Sequence, residues 1–413
     1  MLCGAPERHP EDNAVTENLP VVTLNQGASK RAEYGHPWVF SNEIRMDPAT
    51  KGLAPGTIVR IVTDNSAPLG VAMFNPHSLI AARFLSRDPK AVIDRTFLEG
   101  RIASALALRE RLYDAPCYRL VHAEADGLPG VAIDRYGDIV VAQINSAGID
   151  RLADDLAETL MAVVGARTVV LRGDSPIRKL EGLPEAVRVV GAPLSGEVEV
   201  HENGIAYRAD LALGQKTGWY FDQRDNRAFM GRLAQGARVL DVYSHGGGFG
   251  LACAVAGATS VTLVDRSEPA LALAGRAAEA NKVDDRVRIH VAEAFEDLAK
   301  RRDRGDTYDV VICDPPAFVK SKKDLAVGVK GYRKLARLAA RLVAPGGYLG
   351  IASCSHHVDP DAFLAQVARG VHDTGRQAAI LRRAGAGPDH PVHPQLPESA
   401  YLKFLALRLD PGA

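Results

Sequence analysis

The chain has 413 residues, of which 46% are hydrophobic and 24% are charged, and its formal net charge is zero. This composition excludes a disordered or fibrous protein, and the length is typical of about two to three domains. No apolar run approaches the roughly 18 residues that span a bilayer, and five cysteines without CxxC spacing argue against a zinc site or a disulfide framework and favour a reducing, cytoplasmic location.

The zero net charge conceals segments of opposite sign. Residues 1–20 carry a net charge of −3 and residues 91–200 carry −5, whereas residues 21–90 carry +3 and residues 201–413 carry +5. The first segment is acidic and polar, unlike a secretory signal, and we expect a flexible tail there. Because Lys and Arg neutralise phosphates only where they cluster, the local charge balance is more informative than the total.

Three patterns follow one another along the rest of the chain. Short strand-like runs separated by turn formers occupy residues 21–90 and predict a small β-barrel. A segment with apolar groups at helical spacing (residues 92–113) is followed by strand-like runs and a second helix, so that residues 91–200 predict a small central α/β domain. From 201 to 413, apolar strands alternate with helices, which predicts a Rossmann-like parallel sheet covered on both faces.

Ligands bind at the carboxyl ends of the strands in such sheets, so the residues that follow each strand are the candidates for a site. The first strand ends at Asp241 and leads into a glycine-rich loop, where glycines let the backbone approach a ligand. Leu251 and Cys253 break the GxGxxG spacing, which argues against a dinucleotide. Asp265 ends the second strand, where an acid accepts ribose hydroxyls, and Glu293 follows the third, where it would receive an adenine amine.

Both acids have a plain structural alternative, because an acid before Pro269 can cap a helix and a first-turn acid commonly stabilises a helix dipole. A glycine loop followed by an acid fits either NAD or S-adenosylmethionine (SAM). The fourth strand favours SAM, because its rigid loop Asp314-Pro315-Pro316-Ala317-Phe318 suits a flat base held for methyl transfer. The predicted cofactor-binding residues are Lys216, Thr217, Gly218, Asp241, Tyr243, Ser244, Gly247, Gly248, Phe249, Asp265, Arg266, Glu293 and Ala294.

The segment before the first strand, residues 213–227, adds to this site. Lys216 and the backbone of Thr217 and Gly218 are predicted to meet the methionine carboxylate of the cofactor. Asp222 is predicted to cap the next helix, and the aromatic residues Tyr220 and Phe221 are predicted to pack in the core.

A nucleophile is predicted on the fifth strand. Cys354, within Ser353-Cys354-Ser355, is the only cysteine predicted at a carboxyl strand end. A thiolate that adds to carbon 6 of a pyrimidine makes carbon 5 nucleophilic towards a methyl sulfonium. We therefore predict Cys354 as the nucleophile and Asp314 as the group that binds the ring nitrogen and the exocyclic amine of cytosine. The alternative for Cys354 is a small residue that ends a strand, and His356 or His357 would take the carbon-5 proton unless both are solvated.

Residues 318–341 carry eight basic residues and one acid, a net charge of +7 beside the predicted site. We call these residues the basic strip. A charge run is usually a solvated surface, but this position favours contact with RNA phosphates. The predicted substrate-binding residues are Pro315, Pro316, Phe318, Lys320, Lys322, Lys323, Lys330 and Arg333.

From about residue 21 to residue 409, the chain resembles the PUA-domain ribosomal RNA large-subunit methyltransferases. The motifs that carry the resemblance are GHPWVF (35–40), GQKTGWYFDQRDNR (214–227), the glycine loop (245–250), DPPAF (314–318), SCS (353–355) and DHPV…PESAYLK (389–403). The resemblance implies a PUA barrel that binds RNA, a central α/β domain and a class I SAM-dependent domain with a seven-stranded, mainly parallel sheet. It also implies methylation of carbon 5 of a cytosine in large-subunit (23S) ribosomal RNA, with Asp265 on the ribose, Asp314 on the base and Cys354 as nucleophile.

The chain departs from the family pattern at two places. His245 and Gly246 stand where members often have tyrosine and threonine. No cysteine follows Asp314, unlike in another group of RNA cytosine methyltransferases, so that Cys354 would act alone.

Two other functions stay open at this point. Related enzymes methylate an exocyclic amine of adenine or guanine without a covalent intermediate, but their loop places the aromatic directly after the second proline, where this chain has Ala317. An RNA-binding protein with a silent methyltransferase domain is the other alternative, against which the four retained residues Asp241, Asp265, Asp314 and Cys354 argue. We expect no membrane partner and no metal, and the sequence leaves a monomer and a homodimer both open.

Overall fold

The computed structural model describes residues 19–194, 196–212 and 218–410. They form three sheets of five, five and seven strands and one two-stranded hairpin. The described residues divide into two compact units, one comprising 19–194 and 391–397 and the other 196–212, 218–390 and 398–410. Within these ranges, no helix has both the length and the hydropathy required to cross a membrane.

The first sheet closes into the predicted small barrel. The backbone N–H of Asn25 donates to the carbonyl of Glu43 at 2.7 Å and that of Arg45 to the carbonyl of Thr23 at 2.9 Å, which joins the segments beyond the two edge strands. Two short helices, α1 (Lys30–Glu33) and α2 (Pro48–Lys51), lie in the connections. The strand order is β1-β3-β4-β5-β2, with bounds β1 Val21–Thr23, β2 Trp38–Phe40, β3 Thr57–Val62, β4 Pro68–Phe74 and β5 Ile80–Ser86.

The second sheet packs against helices, as the sequence predicts for the central segment. Its order is β10-β9-β8-β7-β6, with bounds β6 Cys117–His122, β7 Val131–Tyr136, β8 Ile139–Ile144, β9 Thr168–Gly173 and β10 Ala186–Gly191. The helices are α3 (Arg95–Leu112), α4 (Ala147–Arg151) and α5 (Ala153–Val164). Helix α3 begins where the carboxylate of Asp94 accepts the N–H of Phe97, and its buried residues Leu98 and Ile102 share one core with Leu156 and Leu160 of α5.

The second unit contains the hairpin β11 (Glu197–Glu202) and β12 (Ile205–Asp210) and the seven-stranded sheet. The sheet order is β15-β14-β13-β16-β17-β19-β18, with bounds β13 Arg238–Val242, β14 Ser260–Asp265, β15 Val287–Val291, β16 Tyr308–Cys313, β17 Val343–Ser353, β18 Ala378–Ala384 and β19 Lys403–Leu409. The helices are α6 Arg224–Arg232, α7 Gly248–Val255, α8 Glu268–Ala280, α9 Ala294–Arg304, α10 Leu325–Leu342 and α11 Pro360–His372. Strands β13 to β17 are mutually parallel, and β19 runs antiparallel to both of its neighbours, β17 and β18. This confirms the mainly parallel seven-stranded sheet.

The register of this sheet brings the predicted site residues to one edge. Val242 pairs with Val264 and with Cys313, and Cys313 pairs with Ile351. The residues that follow these positions therefore leave the sheet on the same side.

The prediction that Asp222 caps helix α6 is wrong. A short 3₁₀ turn, Phe221–Gln223, precedes the helix, and no side chain caps its start. The carboxylate of Asp222 instead accepts the hydroxyl of Tyr401 at 2.6 Å, 179 residues further along the chain. A tertiary partner has replaced the local capping bond.

Candidate active site

The loop after β13 is held against the carboxylate of Asp265. The N–H groups of His245 and Ser267 donate to its two oxygens, each at 2.9 Å. Tyr243 and His245 adopt left-handed backbone conformations, with φ of 63° and 48°, so that the loop turns sharply towards the acid. Ser267, whose hydroxyl accepts the N–H of Ala270, caps helix α8, and the capping alternative for Asp265 is therefore wrong.

Glu293 stabilises the start of a helix, which is the structural alternative to cofactor binding that the sequence left open. Its side chain caps helix α9 by accepting the N–H groups of Phe295 at 2.9 Å and Glu296 at 3.3 Å. Contact with an adenine amine stays a prediction for Glu293. The neighbouring candidates differ in exposure, because Ala294 is buried and Arg266 is exposed.

Unsatisfied polar atoms lie beside the glycine loop. Asp241 is 1% exposed, and its Oδ2 accepts the N–H of Gly250 at 2.7 Å. Its Oδ1 and the hydroxyl of Ser244 are buried and have no hydrogen-bond partner within the described part of the chain. Burial raises the pKa of Asp241 to about 8. Together with the half-exposed carboxylate of Asp265, these atoms provide acceptors and donors suited to a hydroxyl-bearing ligand such as the nucleoside of SAM.

Two of the predicted cofactor residues line the loop from its packed side. Phe249 is buried and stacks on Phe404 with ring centroids 5.8 Å apart. A side chain at Gly248 would place its Cβ 2.6 Å from Nε of Arg227, so that glycine is required by this close packing. The sequence candidates Lys216 and Thr217 lie outside the described residues, whereas Gly218 is buried with φ of 109°.

Asp314 is oriented by a glutamine that the sequence reasoning missed. Nε2 of Gln223 donates to Oδ1 of Asp314 at 3.1 Å. The orientation of that amide is itself fixed, because its Oε1 accepts Nδ2 of Asn226 at 2.8 Å. The only available signal was that Gln223 and Asn226 stand one helical turn apart in the motif at 214–227.

Cys354 lies between two buried serines that share one hydrogen-bond partner. Ser353 and Ser355 are both 0% exposed, and each hydroxyl lies 2.8 Å from the hydroxyl of Tyr332. The hydroxyl of Ser355 also accepts the N–H of Val319 at 3.2 Å, in the segment after Pro315 and Pro316. Cys354 itself is partly exposed. The two serines and Tyr332 thus anchor the segment that carries the cysteine.

Tyr220 lies near the acids of the site, whereas the sequence predicted that it would pack in the core. It is half-buried, and its ring meets that of His245 edge-on at 5.3 Å. Burial raises its pKa to about 12, and the charges of Asp314, Asp222, Cys354 and Asp265 act in the same direction. Electrostatic influence falls with distance. Tyr220 therefore lies near both Asp265, the predicted cofactor acid, and Cys354, the predicted nucleophile.

Lys403 is a third residue near the site that the sequence did not predict, after Gln223 and Tyr220. Lys403, on β19, pairs with Ser353 in the sheet, and its Nζ donates to the carbonyls of Ser355 at 2.6 Å and Tyr401 at 2.7 Å. Tyr401 in turn stacks on His356, with centroids 5.2 Å apart. Lys403 belongs to the motif at 389–403, but the spacing of that motif does not indicate that the lysine lies close to Cys354.

Some basic residues of the basic strip have partners within the protein, and others form no ion pair with the described residues. All eight of its basic residues are exposed. Arg333 makes a bidentate pair with Asp373, with both distances 2.7 Å, and Lys334 lies 4.8 Å above the ring of Phe295. Lys320, Lys322, Lys323 and Lys330 form no ion pair within the described ranges. Phe318 packs on Tyr332 at 4.8 Å and on Phe295 at 5.9 Å, whereas Pro315 is buried and Pro316 exposed.

Comparison with known proteins is consistent with this architecture. Residues 179–408 match the family model of S-adenosylmethionine-dependent methyltransferases, and residues 22–87 match a PUA-like domain. A protein of Shewanella denitrificans named "Ribosomal RNA large subunit methyltransferase I" is 37% identical over 393 residues, covering 94% of this chain and 99% of that protein. The protein of the same name from Photobacterium profundum is 38% identical, covering 93% of this chain and 98% of its own length.

Solved structures agree on the fold. A Streptococcus mutans structure with a provisional SAM-dependent methyltransferase name has a TM-score of 0.79 at 23% identity, and a structure named as a complex with SAH has a TM-score of 0.81 at 23% identity. Each covers 94% of this chain and 100% of the other. The sheet and its site therefore define a class I methyltransferase that uses SAM. The chain belongs to the family of SAM-dependent methyltransferases with a PUA-like domain that includes the ribosomal RNA large subunit methyltransferase I proteins.

Proposed function

We propose that the protein methylates carbon 5 of a cytosine in large-subunit (23S) ribosomal RNA, with Cys354 as the covalent nucleophile. One observation carries the proposal. The partly exposed thiol of Cys354 leaves the same sheet edge as the carboxylates of Asp314 and Asp265, and the serine–Tyr332 cluster fixes its position. A covalent mechanism needs a nucleophile, a base-binding group and a donor pocket side by side.

The choice of RNA rests on other features. The relatives of 37% and 38% identity are named for the large ribosomal subunit. The barrel near the start of the described chain matches a PUA-like domain. The four lysines of the basic strip without an ion pair in the described chain provide positive charge for phosphates. A small-molecule substrate would use neither feature.

In the proposed reaction, the sulfur of Cys354 bonds to carbon 6 of the cytosine, and the electrons of the carbon 5–carbon 6 double bond shift towards the ring nitrogen. In its protonated form Asp314, oriented by Gln223, donates a hydrogen bond to the ring nitrogen, where this charge collects, and accepts one from the exocyclic amine. SAM, when bound, would supply the electrophilic methyl group, whose bond to the sulfonium breaks as carbon 5 bonds to it, with S-adenosylhomocysteine as the leaving group. A base, for which the exposed His356 and His357 are the candidates, then takes the carbon-5 proton. The sulfur–carbon bond breaks, which restores the double bond and the thiolate.

Replacement of the cysteine tests the proposal. Methylation of 23S ribosomal RNA taken from cells that lack this protein is measured with the wild type, with Cys354→Ala and with Cys117→Ala, a buried cysteine of the second sheet that serves as the matched control. We expect loss of methylation in Cys354→Ala and near wild-type methylation in Cys117→Ala. Mass spectrometry of the product locates the methyl group. RNA that contains 5-fluorocytosine should form an adduct stable to denaturation with the wild type and with Cys117→Ala, but not with Cys354→Ala.

Two results would end the proposal. Full methylation by Cys354→Ala, with the methyl group on an exocyclic amine, would establish the non-covalent alternative. Absence of SAM binding to the wild type in calorimetry would leave an RNA-binding protein with a silent domain.

A further inference from the structure

Lys403 is a buried cation held by main-chain carbonyls. Its side chain is 6% exposed, and the two acceptors of its ammonium are the carbonyls of Ser355 and Tyr401. Within the described residues it forms no ion pair with a carboxylate. A buried cation without an anionic partner is unfavourable, and an apolar side chain at the same place in β19 would avoid the penalty. The position therefore suggests that an anion forms nearby during the working cycle.

The group that can become this anion is Cys354. Lys403 pairs across the sheet with Ser353, immediately before the cysteine, and its Nζ donates to the carbonyl of Ser355, immediately after it. The main chain of Lys403 is thus paired with the residue before the cysteine, and its ammonium is bound to the residue after it. The charges of Cys354 and Asp359 raise the pKa of Lys403, against the larger effect of burial, which lowers it to about 8.

We propose that Lys403 is a positioning residue that stabilises the thiolate of Cys354 and so sets the pH range in which the nucleophile is charged. This role rests on the proposed function, in which that thiolate attacks the cytosine. A positive charge beside a thiol favours its ionised form, because it offsets the desolvation of the sulfur anion. The carbonyls of Ser355 and Tyr401 keep the ammonium from turning away to solvent.

Other titratable groups face the pair and are the same in every variant below. Tyr220 and Tyr332 feel the charge of Cys354, and Asp359, before helix α11, feels that of Lys403. Tyr401, whose carbonyl binds Lys403, stacks on His356. Among these groups only the imidazole of His356 can carry a second positive charge. Because His356 is retained in every variant, the difference between the variants reports the loss of the lysine charge.

The test measures the thiol directly. In alkylation by iodoacetamide, the thiolate sulfur bonds to the methylene carbon and iodide leaves, so the rate at the Cys354 peptide, followed by mass spectrometry from pH 5 to 10, reports the ionised fraction. The variants are Lys403→Gln, which keeps a donor for the carbonyls but not the charge, Lys403→Met and Lys403→Arg. Lys300→Met, on the exposed side of α9, is the control.

We expect the alkylation midpoint of Lys403→Gln and Lys403→Met to rise by about one pH unit, with roughly tenfold slower labelling at neutral pH, and that of Lys403→Arg and Lys300→Met to stay near wild type. Methylation by Lys403→Gln should lose kcat at neutral pH, keep the KM for SAM and recover at pH 9. A merely structural lysine would give a pH-independent loss. An unchanged midpoint in folded Lys403→Gln overturns the proposal, and Lys403→Gln serves this purpose even if Lys403→Met does not fold.

The two proposals fail separately. Alkylation requires no RNA and no methyl transfer, so a shifted midpoint together with full methylation by Cys354→Ala would uphold the ion pair and reject the covalent mechanism. An unshifted midpoint together with an inactive Cys354→Ala would do the reverse.

Discussion

Gln223 donates a hydrogen bond of 3.1 Å to Asp314, a residue 91 positions further along the chain. Through this bond, the 3₁₀ turn before helix α6 orients the acid that follows β16. Asn226 fixes the amide at its other end. The acid proposed to bind the base is therefore positioned from outside its own loop.

The first prediction concerns this amide. Gln223→Glu places two carboxylates in contact, so that they repel and the pKa of one rises. We expect kcat/KM for RNA methylation to fall about 10- to 100-fold, in line with loss of a hydrogen bond to a charged group of about 1.5–3 kcal/mol, and to recover partly as the pH is lowered. Gln235→Glu, an exposed change of the same charge, is the control, and equal losses in both variants would refute a specific role for Gln223.

A second prediction concerns the hydroxyl of Tyr332, which bonds to both buried serines beside Cys354. Tyr332→Phe leaves these hydroxyls short of a partner, at a cost of about 1–3 kcal/mol in the free energy of unfolding, and should also lower kcat because the cysteine is less firmly placed. Tyr118→Phe removes another buried hydroxyl, one that accepts a hydrogen bond from Arg135 in the second sheet. Urea unfolding should register both changes. Methylation at saturating substrate should register only Tyr332→Phe, and an equal kcat for the two variants would contradict the anchoring role.

Salt dependence of RNA binding provides a third prediction. Each phosphate contact contributes about 0.7 to the slope of log affinity against log salt for single-stranded RNA. The triple change Lys320→Ala, Lys322→Ala and Lys323→Ala should therefore flatten the slope by roughly 2.

The same measurement separates two neighbouring members of the basic strip. Lys330 has no ion pair within the described ranges, whereas the guanidinium of Arg333 is occupied by Asp373. Lys330→Ala should flatten the slope and Arg333→Ala should change it less. Equal slopes for the wild type and the triple variant would show that this surface does not meet RNA.

The fourth prediction concerns Asp241, whose burial raises its pKa to about 8 from the ordinary 3.8. The folded state then binds this proton more tightly than the unfolded state, so the contribution of Asp241 to the free energy of unfolding is greatest below about pH 4 and declines as the pH rises towards 8. Asp241→Asn mimics the protonated form. Without SAM, its free energy of unfolding relative to wild type should rise by a few kcal/mol between pH 5 and pH 8, as measured with urea. A difference that does not vary with pH would show that the carboxyl titrates normally.

The sheet and the strand-end residues could be predicted because they depend on local patterns. Apolar runs and their spacing are sufficient to place four residues at or just after the carboxyl ends of four parallel strands, namely Asp241, Asp265, Asp314 and Cys354. The contacts that orient them could not be predicted, because Gln223 meets Asp314 and Lys403 meets Ser355 across long separations in the chain. Where a local and a tertiary partner compete, as at Asp222, only the folded chain determines which bond forms.

The direction of the serine side chains shows the same limit. A hydroxyl on each side of a cysteine suggests chemistry at the thiol, but both hydroxyls bond to Tyr332. The presence of Tyr332 beside these serines depends on the packing of helix α10, which the local sequence does not show.

The position of β19 has a consequence for biosynthesis. This strand follows β18 in the chain but lies between β17 and β18 in the sheet, and it carries Lys403 to the neighbourhood of Cys354. A nascent chain that has emerged only as far as β18 therefore has an incomplete sheet. Strand β17, which precedes Cys354, then lacks its partner β19 and presents an exposed strand edge, on which a chaperone could act. Nonsense or frameshift changes before codon 403 should consequently yield proteins that are prone to aggregation as well as inert.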